Sequence, residues 1–318
     1  MASIEKGIKF DKRYLAIFAI ILIGLYVILP QLGSFRSSLD YLRHPNYTYV
    51  AIAVLFACGT YVSGAVTYLL LAFTRLKFAL TVLIQFTAMF VNRLLPAGIG
   101  AVGVNYLYLR KNKHSEAQAA SVITANNFIG LLGHGILTAL VLLFAKITNQ
   151  SLMMTGPNLS STIVKVSVAV ALILIVAIMI FGKKKKKKGL NDFLKQLSSY
   201  RRRPKSLSLA LVSSMTLTMF NVMSLFFCLS ALGIHLSFVQ VFVVFSFGVG
   251  TGVAIPTPGG IGGFEAGLVG GFVAYNVASS QALAVAILYR IITYWGPLVL
   301  GGIAFLLTQK QLGLTKST

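Results

Sequence analysis

Residues 208–232, "SLALVSSMTLTMFNVMSLFFCLSAL", run for 25 positions without one charged side chain. A helix needs about 20 apolar residues to cross a hydrocarbon core roughly 30 Å thick. Inside that core only a helix or a closed barrel satisfies its own backbone hydrogen bonds. The runs "YLAIFAIILIGLYVIL" (14–29) and "VKVSVAVALILIVAIMIF" (164–181) have the same character. Charged residues make up 11% of the chain, against about 25% in a soluble domain, and mean hydropathy is +0.83. The chain reads as an all-α integral membrane protein. Its first run has basic flanks but no small-x-small cleavage site, so it is read as a retained helix.

The excess of 28 Lys+Arg over 6 Asp+Glu gives a formal charge of +22. These charges fall in loops between apolar runs, which points to topology and to anionic lipids at the cytoplasmic leaflet, not to nucleic acid. Lys6, Lys9, Lys12 and Arg13 place the N-terminus in the cytoplasm, and Lys310 and Lys316 place the C-terminus there. Between them the basic clusters at 75–77, 110–113 and 183–203 all fall on one side if six runs cross completely: 14–29, 49–73, 117–145, 164–181, 207–232 and 281–307. Two further segments, 78–109 and 237–277, then form re-entrant hairpins around glycine and proline. A ten-span reading, with each hairpin arm a full crossing, keeps the same parity.

Those hairpin tips repeat a motif. "PAGIG" at 96–100 and "PGGIG" at 258–262 stand 162 residues apart. Three crossings per half turn the second half upside down, so 1–148 and 163–318 read as inverted repeats within one membrane domain, the second of which contains the basic cytoplasmic loop 183–205. Gln118 then aligns with Gln281, and Gly133-His134 with Gly296-Pro297, giving both closing helices a weak point at one place. Broken helices in inverted repeats bring backbone N–H and C=O groups to the bilayer middle, where substrates bind. The tip candidates are Pro96, Gly98, Gly100, Pro256, Pro258, Gly259, Gly260 and Gly262. Scattered glycines such as Gly59 and Gly271 read instead as close helix packing.

Charged residues inside apolar segments sharpen the picture. Glu265 lies seven residues after Pro258, Arg290 about ten residues into the last run, and Arg93 with Asn92 beside the first tip. A lone charge at mid-bilayer costs at least about 2.5–3.5 kcal/mol, so each needs a partner or a wet cavity. Glu265 is expected to pair with Arg93 or Arg290. The alternative to a static pair is a polar cavity where an arginine fork holds an anionic head group. Asn126 and Asn127 align near Arg290 and are expected to line the same cavity, with His134 a weaker candidate. In the inner loop, Leu190, Phe193, Leu194, Leu197 and Tyr200 share one helix face, which reads either as a helix on the inner leaflet or as a disordered positive-inside marker. The sequons at Asn46, Asn149 and Asn158 fall in expected outer loops. Phosphate loop, H-E-x-x-H, Cys/His cluster and nucleophile elbow are all missing from the sequence, so no metal or cofactor is expected.

"NRLLPAGIGAVGVNYLYLRK" (92–111), "PTPGGIGGFEAGLVGG" (256–271) and "ALAVAILYRIITYWGPLVLGG" (282–302) together resemble the lysylphosphatidylglycerol synthase transmembrane region, a family of flippase-like membrane proteins. That resemblance implies a membrane domain that moves a lipid with a charged or glycosylated head group between leaflets, an anionic or aminoacylated phospholipid above all. It also implies that Glu265 and Arg290 are functional, with Arg93 carried over less securely. The chain ends about ten residues after its last apolar run, so the synthase chemistry is not carried over and a non-enzyme is expected. The rival expectation is a membrane subunit that holds a separate lipid-modifying enzyme or glycosyltransferase.

Overall fold

The structure, a computed structural model, describes residues 32–95, 98–147, 188–254 and 257–314. The expected spans 14–29 and 164–181, Pro96, Pro256 and the sequons Asn149 and Asn158 lie outside the described residues. All regular structure among the described residues is helical. In chain order the helices are α1 (Leu32–Tyr41), α2 (Tyr47–Leu71), α3 (Phe78–Leu94), α4 (Ile99–Lys111), α5 (Glu116–Ile147) and α6 (Lys188–Ser199). They continue as α7 (Pro204–Ala231), α8 (Phe238–Ala254), α9 (Gly263–Ala274), α10 (Ser279–Arg290) and α11 (Gly296–Leu312).

Four stretches are long and apolar enough to cross a membrane: α2, α5, α7 and the composite Ser279–Gln309. They coincide with four of the six expected crossings. The hairpin arms are shorter. At about 1.5 Å per residue, α3 and α8, with 17 residues each, reach about 25 Å. Likewise α4 with 13 and α9 with 12 reach about 18–20 Å. None matches a core of roughly 30 Å.

α2 packs along α7, and both hairpins also make contacts between the two halves of the chain. The first hairpin, α3–α4, packs on α11, while α8 of the second hairpin touches α5. The largest core cluster draws Ala53 and Ala57 from α2, Val222 and Leu225 from α7, and Phe242, Phe272 and Val285 from α8, α9 and α10. Close approach inside the second hairpin depends on Gly267, where an added Cβ would lie 2.8 Å from the Gly248 Cα.

Three expectations change. α1 is an additional helix in an expected loop, tied to α10 by a Ser38 Oγ hydrogen bond to the Ser280 carbonyl at 2.8 Å. α6 forms as its apolar periodicity predicts, but that face docks on protein. Leu197 packs into the core cluster around α2 and α5, and the adjoining Tyr200 is buried and donates to the Leu71 carbonyl at 2.7 Å. Among the described side chains of that face, Leu194 alone is largely exposed. The shared weak point also fails: α5 runs unbroken through Gly133 and His134, whereas the closing helix widens into a π-turn at Ile291–Trp295. Pro297 is the difference, because proline has no N–H and cannot continue the α-helical ladder.

On the expected cytoplasmic side, the end of α2 is closed by the α6–α7 joint. Arg203 Nη1 donates to the Ala72 carbonyl at 3.0 Å and Ser206 to that of Leu70. Cations suit a helix C-terminus. Beside it, buried His114 ties the α2–α3 turn to the α4–α5 turn. Its Nε2 accepts from the Phe73 N–H at 3.0 Å, and its Nδ1 lies 3.1 Å from the Leu109 carbonyl. That pattern fixes a neutral ring with the proton on Nδ1.

Candidate functional site

The second tip is built from backbone that only glycine tolerates well. Gly259, Gly260 and Gly262 take φ of +63°, +69° and +86°. An added Cβ on Gly259 would meet the Tyr294 ring at 2.5 Å, so the tip presses directly on the closing helix. Where α9 starts, Glu265 at its third position reaches back, and its Oε2 accepts from the Gly262 N–H at 2.7 Å. A carboxylate suits a helix N-terminus, where free N–H groups and the dipole favour negative charge.

The other oxygen, Oε1, stands 2.6 Å from Arg290 Nε. It is an ion contact, with the N–H off the line of a hydrogen bond. Arg290 Nη2 donates to the Gly260 carbonyl at 3.2 Å, and its guanidinium lies over the rings of Phe264 at 4.5 Å and Tyr294 at 5.2 Å. Of the two partners offered by the sequence, Arg290 is therefore the one that pairs with Glu265. The pair is mostly buried, with side-chain exposures of 13% for Arg290 and 27% for Glu265.

Arg93 comes from the last turn of α3, the favourable end of that helix for a cation. Its guanidinium lies 4.8 Å over the Tyr294 ring, so the two arginines share one aromatic. Arg93 Nη2 donates to the Thr293 carbonyl at 2.7 Å. The α-helical donor to that carbonyl would be residue 297, a proline with no N–H to give. The same proline that breaks the helix thus frees an acceptor for a cation from the other half of the chain. Tyr61 of α2 faces Arg93 as well, yet Arg93 Nη1 is buried without a hydrogen-bond partner.

At the first tip, Gly98 takes φ +76°, and Asn92 Oδ1 accepts from the Ala101 N–H at 3.4 Å, holding the start of α4. Gly100 lets α4 pass close to α3, since a Cβ there would lie 2.5 Å from Val91. The residue that corresponds to Glu265 by the 162-residue offset is Gly103, so this hairpin has no capping acid.

Arg93, Glu265, Arg290, Gly259 and Gly260 are thus brought together. Asn126 and Asn127 are not: no hydrogen bond or ion pair joins either to Arg93, Glu265 or Arg290. They sit on α5, which packs mainly on α6 and α7 and also on α2, α4 and α8. His134 is a packing residue, with its ring 6.0 Å from Phe242 and 6.3 Å from Phe245. Sequence reasoning missed Tyr294, Thr293 and Phe264. Tyr294 stands four residues after Arg290, the spacing of side chains on one helix face, and that was the available signal. No group of three or more potential metal ligands occurs among the described residues.

The family model of the lysylphosphatidylglycerol synthase TM region matches residues 15–301. UPF0104 membrane protein PH1989 of Pyrococcus horikoshii is 24% identical over 332 residues, covering 95% of this chain and 98% of the relative. A UPF0104 membrane protein of Methanothermobacter thermautotrophicus is 28% identical over 116 residues, covering 36% of this chain and 34% of its own. UPF0104 membrane protein MJ1595 of Methanocaldococcus jannaschii is 25% identical over 130 residues, covering 41% and 39%. The matched region takes in both glycine tips, Arg93, the Glu265–Arg290 pair and most of the closing helix; the chain is a multi-pass membrane protein that belongs to the lysylphosphatidylglycerol synthase TM region family.

Proposed function

We propose that the protein is a lipid translocase that moves a lipid with a charged or glycosylated head group between leaflets. The observation that carries this reading is the meeting of three interrupted helical elements at one charged cluster. The second tip, the end of α3 and the π-turn of the closing helix converge on Arg93, Tyr294, Arg290 and Glu265. Charge held at the ends of broken helices is the arrangement by which membrane transporters bind polar cargo away from lipid.

In this reading the chain crosses six times and carries two re-entrant hairpins that face opposite leaflets, with both termini cytoplasmic. Packing between the halves supports inverted repeats: the first hairpin leans on the last helix, and α8 of the second touches α5. Hairpin arms of about 18–25 Å support re-entry, being too short for a full core. Exposed Arg201 and Arg202 at the α6–α7 joint would rest against anionic lipid of the inner leaflet. The chain itself is proposed to move lipid and not to modify it.

The test is leaflet exchange in proteoliposomes, with a panel of fluorescent anionic, zwitterionic, cationic and polyprenyl-linked lipids. Head-group-selective exchange by the wild type, lost in folded Glu265→Gln, is the expected result. Folded protein that exchanges no lipid in the panel would overturn the translocase, leaving a membrane subunit that holds a separate lipid-modifying enzyme.

A further inference from the structure

The two arginines of the cluster differ in how completely they are neutralised. Arg290 has a carboxylate at 2.6 Å, a carbonyl at 3.2 Å and two aromatic faces. Arg93 has one carbonyl, one aromatic face and the Tyr61 side chain beside it, and no carboxylate lies within ion-pair distance of it among the described residues. Two guanidinium groups and one carboxylate leave the cluster at +1. Arg93 is only 6% exposed, and its Nη1 is buried with no acceptor. A charged donor withdrawn from water without an acceptor is strongly unfavourable. The planar fork of arginine matches the oxygens of a phosphate group better than any other cationic side chain.

We infer that Arg93, and not Arg290, is the arginine that holds the anion, and that the anion is a singly charged phosphate group. The inference deepens the translocase reading and rests on it for the lipid as the source of that phosphate. Arg290 has a different task. Through Glu265 and the Gly260 carbonyl it holds the second tip in shape, and that tip packs against α3. The anion reaches Arg93 Nη1 when the tip lifts from the end of α3. Once there, it supplies the acceptor and the countercharge that the protein withholds.

The test reads both arginines in one wild-type sample. Full-length protein in zwitterionic nanodiscs is treated with phenylglyoxal, and modification at each arginine is followed by mass spectrometry. Phosphatidylglycerol and inorganic phosphate are added in separate arms. Phosphatidylglycerol is expected to slow modification of Arg93 about tenfold, the scale of a hydrogen bond to a charged group, and that of Arg290 less than about twofold. Protection by inorganic phosphate as well assigns the site to phosphate of either source, and protection by the lipid alone assigns it to the head group. Protection at Arg290 with none at Arg93, or at neither, overturns the inference. Binding of the fluorescent lipid is expected to weaken about tenfold in Arg93→Gln and to recover in part in Arg93→Lys. Lipid exchange by a protein whose Arg93 is never protected would sink this inference and leave the translocase standing. Protection of Arg93 in a protein that exchanges no lipid would do the reverse.

Discussion

Arg93 donates a 2.7 Å hydrogen bond to the carbonyl of Thr293, 200 residues away, and that carbonyl is available because residue 297 is a proline. The bond joins the end of the first hairpin to the break in the last helix. Its loss should be felt as stability before it is felt as function. Arg93→Met is expected to destabilise the protein by about 1.5–3 kcal/mol, the range for a hydrogen bond to a charged group. Arg93→Lys should keep about half of that, and melts in detergent measure both.

Glu265 serves two neighbours with two oxygens, so its variants should separate by chemistry. Glu265→Gln keeps an acceptor for the Gly262 N–H but loses the charge beside Arg290. A fully buried partner left alone costs about 3–5 kcal/mol; with side chains 13% and 27% exposed, we expect about 2. Glu265→Ala also loses the cap and should cost about 1 kcal/mol more. Denaturation of both variants in the same detergent tests the order.

Reversing the pair should not rescue it. With Arg290→Glu and Glu265→Arg together, opposite charges still face each other. An arginine at 265 cannot accept from the Gly262 N–H, and a glutamate at 290 cannot donate to the Gly260 carbonyl. The double variant is expected to be no more stable than the weaker single one. Recovery to within about 1 kcal/mol of wild type would show that charge alone holds the tip.

The two tips should respond differently to the same small change. At Gly98 a methyl group meets only strain at φ +76°, with the nearest atom 3.9 Å away. The expected cost of Gly98→Ala is about 1–2 kcal/mol. At Gly259 the methyl also runs into the Tyr294 ring, so Gly259→Ala should cost more and should loosen the contact of that ring with both arginines. Intrinsic fluorescence and thermal melts of the two variants provide the comparison.

Outside the membrane-spanning segments, His114 makes stability depend on pH. Burial holds its pKa below the usual 6.5, with hydrogen bonds to the Leu109 and Asn112 carbonyls acting in the opposite direction. On acidification the unfolded chain takes up the proton first, so stability falls as pH drops below about 6.5 and stops falling below the native pKa. One such group gives a slope of at most about 1.4 kcal/mol per pH unit. Protonation also places a second N–H against that of Phe73. Melts between about pH 7.5 and 5 should show the fall, and His114→Asn should remove this component.

Long features were legible in the sequence because hydropathy and charge declare them. Four helices of the expected crossings and both glycine tips stand where apolar runs and "PAGIG" or "PGGIG" put them. Glu265 and Arg290 could be named because a charge amid apolar residues demands a partner. What stayed hidden were contacts made through backbone or set by packing. Repeat alignment placed Asn127 beside Arg290 and Gly133-His134 beside Gly296-Pro297, but a histidine retains its N–H, and α5 therefore never breaks as the last helix does. α6 carried the expected apolar face, and sequence cannot say whether lipid or protein covers such a face.

The joint between Arg93 and the break in the last helix is recorded lopsidedly in the chain. One partner is a side chain; the other is a main-chain oxygen that every amino acid possesses, left without its helical N–H donor by a proline four residues on. Position 293 can therefore drift among relatives without loosening the joint, while position 297 cannot, and correlated substitution between 93 and 293 will be weak however strong the contact is. Ancestry at this joint is better traced through a missing hydrogen than through any pair of side chains.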